Sequence, residues 1–514
     1  MGSMAQQSGR KFILYALSAA VILVAVWIGL RTSQLFRTEN AHPATDEAPA
    51  QGGAYDKLVM IFPSGNVPKD LPAVQEKLNA YLRDKIGAEL EIKPIDMSIW
   101  WDRTGLMFAS GQQVDLMFTA GWMRFGDEVA KNHFIALDEL LDQYGQGIKE
   151  ILPPSILEAG KLNGHIYGIA TNKEFASSKG LVVRADLVQK YGIDLTKIKA
   201  LEDFGPVFAA IKRNEPDLVP LQVRADRSPF TLLMQYGLFD MLGEGAGALD
   251  RSSGSTKVVN IVETPQYLKY AKLMYAWNRA GYLNSDASTT KDNEFEAVKA
   301  GKAFAYAESL KPGFDNQASR DVGMPMKTVA ITSPYATTAD MTSAMFAITR
   351  TSRHPQKAMQ VLELLFTDPY ALNLLDWGIE GEHYVKKSDT IIAYPPGLDA
   401  RSVGYNLNLP WMFGNQLNSY LWEDEAPGLW EAYRAFNEGA EKSQALGFVF
   451  NPDPVKSEIA ACNNVDREFS AAINTGVQDP DKIIGMYRSQ LRAAGADKVI
   501  AEKQRQLDAW LASR

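Results

Sequence analysis

At 514 residues the chain is long enough for several domains, and with 46% hydrophobic and 22% charged residues it has an ordinary globular composition, neither disordered, collagen-like nor polytopic. Its 53 Lys and Arg against 61 Asp and Glu leave a formal charge of −8, which argues against a nucleic-acid binder. Five His and a single Cys, Cys462, provide neither a disulfide framework nor a cysteine cluster for zinc.

Residues 12–30 (FILYALSAAVILVAVWIGL) form an uncharged run bounded by Arg10 and Lys11 before it and Arg31 after it. At about 1.5 Å per residue such a helix spans roughly 28 Å, close to the bilayer core. The run continues into RTSQLFRTEN instead of a small-residue cleavage site, so it reads as a transmembrane signal anchor, with a cleaved signal peptide as the alternative. The basic flank places residues 1–11 in the cytoplasm and the body outside it. Residues 31–54, rich in Pro, Ala, Gly and acid, read as a flexible linker.

The body opens with KLVMIF at 57–62, an apolar run closed by Pro63, Ser64 and Gly65, which predicts a buried strand and a turn. Leu71, Val74, Leu78, Leu82 and Ile86 follow at helical spacing, and ELEIKPI at 89–95 alternates like a strand. A helix over 101–108 and the strand VDLMFT at 114–119 complete a second unit, so the pattern is α/β with a mainly parallel sheet. Further strands are expected at 302–309 and 341–348, a helix follows the latter, and the C-terminal quarter is mostly helical.

Four blocks, NGHIYGIATNKEF at 163–175, GLVVRADLVQKYGIDLTKI at 180–198, NLLDWGIEGEHYVK at 373–386 and AEKQRQLDAW at 501–510, carry a resemblance to the family 1 extracellular solute-binding proteins, the receptors of ABC importers. The chain is most similar to large members that include oligosaccharide-binding lipoproteins. The resemblance implies a two-lobed periplasmic-binding-protein fold, type II-like, with hinge strands and a helical C-terminal region. Lobe one would take 55–170 and 330–380, and lobe two 171–329 and 381–514. It further implies a monomer that encloses an oligosaccharide by hinge closure and hands it to permease subunits, without a cofactor and without catalysis. Many relatives carry a lipid-modified Cys, whereas Cys462 lies deep in the body, so residues 12–30 are expected to serve as the membrane attachment. Some relatives bind calcium, but no DxDxDG-type loop occurs and none is expected.

Sugars present apolar C–H faces and rings of hydroxyls, so aromatic side chains beside charged or amide groups are the candidates. Ligands of open α/β sheets bind beyond the strand carboxyl ends, which singles out Ser64 and Trp122. Trp100 and Trp101 are adjacent, so both cannot face one core and at least one should meet solvent or ligand. Asn172, Lys173 and Glu174 form either a solvated turn or a hydroxyl-binding set; Glu308 and Lys311, closing a strand, are either surface charge or ligand contacts. Trp377, Glu380, His383 and Tyr384 project from a turn that Gly378 and Gly381 permit, with a structural Glu–His pair as the alternative. Trp411 and Asn415, with Trp422 nearby, form an aromatic–amide cluster that core packing would also explain. Arg224 is either a carboxylate binder or a surface ion pair.

The competing reading is a membrane-anchored carbohydrate hydrolase or lyase. It would need two carboxyls about 5–9.5 Å apart across the glycosidic bond, and Glu380 with Glu382 is the one close pair in sequence that attracts attention. No GxSxG elbow, P-loop or HExxH motif accompanies it.

Overall fold

The computed structural model describes residues 55–65, 67–400 and 402–513. The expected anchor at 12–30 and linker at 31–54 lie outside the described residues, and no helix among those described is long and apolar enough to cross a membrane.

The chain begins with β1 (Asp56–Pro63), α1 (Leu71–Ile86), β2 (Ala88–Ile95), α2 (Trp100–Ser110) and β3 (Leu116–Thr119). α1 starts with Pro72 in its first turn, buries Leu71, Val74, Leu78 and Leu82, and ends on Gly87, whose φ of 65° suits a left-handed cap. β1 pairs in parallel with β2 on one side and β3 on the other, and its apolar run is buried because both faces are covered. After several short helices, β4 (Ile169–Ala170) leads out of this half.

β5 (Ser178–Arg184), β6 (Val219–Gln222), α3 (Pro265–Arg279), β7 (Ala303–Leu310) and β8 (Met326–Ala330) build a second half. The chain then returns through β9 (Tyr335–Ala336) to β10 (Met345–Ile348), α4 (Pro355–Thr367) and α5 (Pro369–Trp377). It crosses a third time through β11 (Glu441–Lys442) into α6 (Lys456–Asn474), α7 (Pro480–Ala494) and α8 (Ala496–Ala512). The first sheet runs β2-β1-β3-β10-β4, with β10 antiparallel to its neighbours; the second runs β8-β5-β7-β6. Phe62, Phe118, Phe346 and Phe413 pack at the centre of one core. Phe208, Trp277, Phe230 and Tyr267 occupy the other, which Phe469 and Tyr487 of α6 and α7 complete.

The three crossings lie side by side. Ser177 and Tyr335 exchange backbone hydrogen bonds of 3.0 and 3.1 Å, and β9 pairs in parallel with β11. Arg251 fastens this hinge from the second half, its guanidinium 3.9 Å from the Tyr335 ring centroid and 3.6 Å from Glu441.

The 381–418 stretch, assigned to lobe two from sequence, is tied to the first half instead. Asp70 N donates to Gly404 O (2.9 Å), the Tyr405 hydroxyl to Leu375 O (2.6 Å) and Asn415 N to Leu365 O (3.1 Å). These bonds are made by loop and two- or three-residue strands, whose affiliation no hydrophobic period announces. The following segment touches both halves: the Asn437 side chain accepts from Phe175 N and donates to Lys173 O, while Asp424 and Glu425 pair with Arg320.

Two fully buried ionisable groups make the stability of this framework depend on pH. Lys503 of α8 is fully buried, its Nζ reaching the carbonyls of Met241 (2.9 Å), Gly245 (3.0 Å) and Gly247 (2.9 Å). Asp376 of α5 is equally buried; Oδ2 accepts from Ser419 Oγ at 3.3 Å, and Oδ1 has no hydrogen-bond partner among the described residues. Burial drives the Asp376 carboxyl well above its ordinary value of 3.8, so the folded state holds the proton to higher pH than the unfolded state does. Its contribution is therefore full below about 3.8 and is lost as the pH rises. Asp376→Asn is expected to raise stability at pH 7 by about 1–3 kcal/mol and to flatten the decline between acid and neutral pH, measured by urea unfolding across that range.

Candidate functional site

The carboxyl ends of β1, β2, β3 and β4 and the amino end of β10 form one rim of the first sheet. The chain leaves this rim at Ala170 and enters β5 at Ser178; it leaves β8 at Ala330 and re-enters at Met345. The rim of the second sheet that carries the carboxyl ends of β6 and β7 thus opposes the first across the crossing strands.

On the first rim Trp122 is 57% exposed, held by its Nε1 donating to Ser343 O at 2.8 Å. Trp101 is half-buried under the Arg124 guanidinium, 4.9 Å from the ring centroid. Ser64 is nearly buried at the end of β1. Trp411 is half-buried, with its ring edge-on to Phe118. Asn172 Nδ2 donates to Asn415 Oδ1 (2.8 Å), and Asn172 N donates to Gly414 O (2.9 Å).

Glu174 lies in the first crossing, between Lys173 at 2.9 Å and Lys311 of the opposite rim at 3.3 Å. Burial alone would raise its carboxyl, but the two ammonium groups overcome that and hold it at about 2. Its Oε2 is buried with no hydrogen-bond partner among the described residues, and Lys311 also stands 5.5 Å from the Tyr433 ring centroid. On the second rim Arg227 pairs with Glu308 at 2.6 Å, and Arg224 with Asp226 at 2.6 Å. Both arginines flank the buried Glu294 at 3.7 Å; burial raises that carboxyl.

Other expected site residues sit elsewhere. Trp100 is fully buried, its neighbour Trp101 taking the partly exposed position. Trp377 is buried with Nε1 donating to Ser419 Oγ (2.9 Å), and its ring meets Trp422 edge-on. His383 Nδ1 accepts from Ile379 N at 2.9 Å, which assigns its proton to Nε2, 3.4 Å from Asp70. Tyr384 is also buried, and Glu380 is exposed beside Lys386 at 3.5 Å. The glycine turn thus folds Trp377, His383 and Tyr384 inward, so these three and Trp100 serve as packing and hydrogen-bonding groups, not surface contacts. The Glu–His alternative does not form either, since His383 faces Asp70.

Four side chains that the sequence did not single out stand beside the expected residues or exposed on their own: Arg124 over Trp101, Arg227 on Glu308, Tyr433 near Lys311, and Tyr236. Tyr236 follows a π-helix over Phe230–Gln235 and is 50% exposed. Among the described residues no group of three or more His, Cys, Asp or Glu is placed to hold a metal ion.

Residues 103–372 match the family model described as bacterial extracellular solute-binding protein, and residues 444–512 match one described as a domain of unknown function (DUF3502). A carbohydrate ABC transporter substrate-binding protein of Streptococcus pneumoniae is 29% identical over 469 residues, 89% of this chain and 91% of that protein. The crystal structure of the N-glycan transport solute binding protein NgtS from the same organism superposes with a TM-score of 0.80 at 27% identity, covering 89% of this chain and 99% of that one. Its complex with Man5GlcNAc gives 0.72 at 28% identity over the same shares.

Proposed function

We propose, from the premise that the chain belongs to the bacterial extracellular solute-binding protein family, that it is the extracytoplasmic receptor of an ABC importer and takes an oligosaccharide between its two lobes. The observation that carries this reading is the pair of opposed rims joined by three adjacent crossings. A ligand that touches both rims binds the closed arrangement better than the open one and so shifts the hinge toward closure. The permease subunits would read the closed form, and residues 12–30 would keep the body at the membrane. Ser64, Trp101, Trp122, Trp411, Glu308 and Lys311 are the expected contact groups, with Glu174 fixing Lys311 across the crossing. The S. pneumoniae relatives, described as carbohydrate and N-glycan transport proteins, make a mannose-containing glycan such as Man5GlcNAc the first ligand to test.

A thermal-shift and tryptophan-fluorescence screen of the purified chain against neutral and acidic oligosaccharides, with product analysis of each hit, tests the reading. A raised melting temperature with the sugar recovered intact supports it; cleaved sugar would transfer the case to the hydrolase or lyase reading. Trp122→Ala is expected to weaken glycan binding by about 1 kcal/mol or more, with the melting temperature of the unliganded protein unchanged because the ring is largely exposed.

A further inference from the structure

Besides the three crossings, the stretch 418–430 is bonded to both halves. Its first part is fixed to the first half: Asn418 Nδ2 donates to Phe366 O (3.1 Å), Tyr420 N to Asn373 Oδ1 (2.7 Å) and Glu423 N to Ile392 O (2.9 Å). One residue further on, the chain is fixed to the second half. Asp424 O accepts from Asn316 Nδ2 at 2.8 Å, and the carboxylates of Asp424 and Glu425 take the two ends of the Arg320 guanidinium at 2.9 and 2.5 Å. Asn316 and Arg320 stand one turn apart on the helix Phe314–Val322, which starts just past the carboxyl end of β7. A Cβ on Gly313, at the start of that helix, would lie 2.7 Å from Leu429 Cδ1, so the helix Leu429–Gly439 rests directly on it. The same helix reaches back to the first half, Trp430 Nε1 donating to Ser419 O at 2.8 Å. Arg320 and Glu425 are both partly buried, so water screens their pairing incompletely.

Three adjacent crossings define one hinge and leave rotation about it free. The 418–430 stretch runs from one rim to the other, so swinging the halves apart pulls on it, and Arg320 is what holds its far end. Resting on the receptor reading above, we infer that Arg320 sets ligand affinity without touching the ligand: by gripping Asp424 and Glu425 it limits how far the unliganded lobes open. It is a positioning residue. When the binding-competent arrangement is a larger fraction of the unliganded population, the apparent affinity rises by that fraction.

The test uses the full-length protein, first without ligand and then with Man5GlcNAc. Small-angle scattering is expected to give unliganded Arg320→Ala a larger radius of gyration than wild type. The double variant Asp424→Asn/Glu425→Gln, which removes the other side of the grip, should show the same increase, and combining it with Arg320→Ala should add nothing. Arg320→Lys, which keeps the charge but not the planar fork, should fall between. Stopped-flow tryptophan fluorescence is expected to show Arg320→Ala binding Man5GlcNAc about fivefold more weakly through slower association, with release within about twofold of wild type. A group that touched the sugar would instead act on release. An unchanged radius in both Arg320→Ala and the double variant overturns the inference whatever the sugar result, and leaves the receptor reading standing. Expanded variants with wild-type affinity overturn the role of Arg320 in binding. If the radii shift as expected but wild type binds no glycan in the wider screen, the receptor reading fails while the limit on opening holds.

Discussion

Lys503→Met is expected to lower the free energy of unfolding by about 3–5 kcal/mol, the largest effect of any single substitution considered for this chain. The methionine fills the aliphatic path of α8 but offers no donor to the carbonyls of Met241, Gly245 and Gly247, and a buried carbonyl without a partner costs about 1–3 kcal/mol. The effect should be local at first, with faster amide exchange in 241–247, and should reach Asp240, whose carboxylate accepts from Ser443 next to the third crossing. The wild type carries a pH signature that the variant lacks. Burial pulls the Lys503 ammonium down from 10.5 to about 7, so between those values the unfolded state binds more protons than the folded one. This contribution is full above 10.5 and shrinks as the pH falls toward 7. Urea melts at pH 7, 8 and 9 should show the wild type gaining stability with pH relative to the Met variant; parallel curves would mean that Lys503 titrates near its ordinary value.

Gly414→Ala comes second, with an expected loss of about 2–4 kcal/mol. Gly414 has φ +45°, and a Cβ there would lie 2.1 Å from Leu365 O and 2.4 Å from Leu365 C, which are backbone atoms of α4 that cannot rotate away. Relief requires the 412–416 loop to move, and that loop carries Trp411 on one side and Asn415 on the other. Since Asn172 N donates to Gly414 O and Gln416 N to Asn172 O, the first crossing should move with it. The measurement is a urea midpoint together with exchange protection of the Asn172 amide. Lowered stability with undiminished protection would show that the loop yields without disturbing the crossing.

Elements with a strong period were legible before any coordinates. β1, α1, β2, α2 and β7 stand within two residues of their expected bounds, because each buries a full apolar face or is buried on both. The expected strand at 341–348 forms only over Met345–Ile348: Met341 ends a short helix over Thr338–Met341 that Thr337 caps, and 342–344 are turn and bend. Apolar runs of that length do not distinguish the two states. An exposed position was legible where placement alone points outward, as at Trp122 just past β3. It was misread around Trp377, His383 and Tyr384, where the sequence reports which side chains a glycine turn carries but not which way they fold. It was unreadable at Tyr236, exposed after a π-helix with no marker of its own, and at the 381–418 stretch, which is attached by Tyr405, Leu407, Met412 and Phe413 packed into the first core and by backbone bonds such as Asp70 N to Gly404 O, at no regular period.

The threefold passage between the halves also dictates an order of synthesis. The second core draws Leu181 and Val183 from β5 and Phe469, Ile473, Tyr487 and Leu491 from α6 and α7, nearly three hundred residues later. The loop over 241–247 waits longer still, for Lys503. Neither half is a continuous stretch that a ribosome can deliver and leave to mature while the rest is made. The second must remain unfinished until almost the last helix has emerged, and contacts of such long sequence separation close slowly. A chain built this way stays loose for most of its own translation, which is the state in which a polypeptide can still be threaded through a membrane pore.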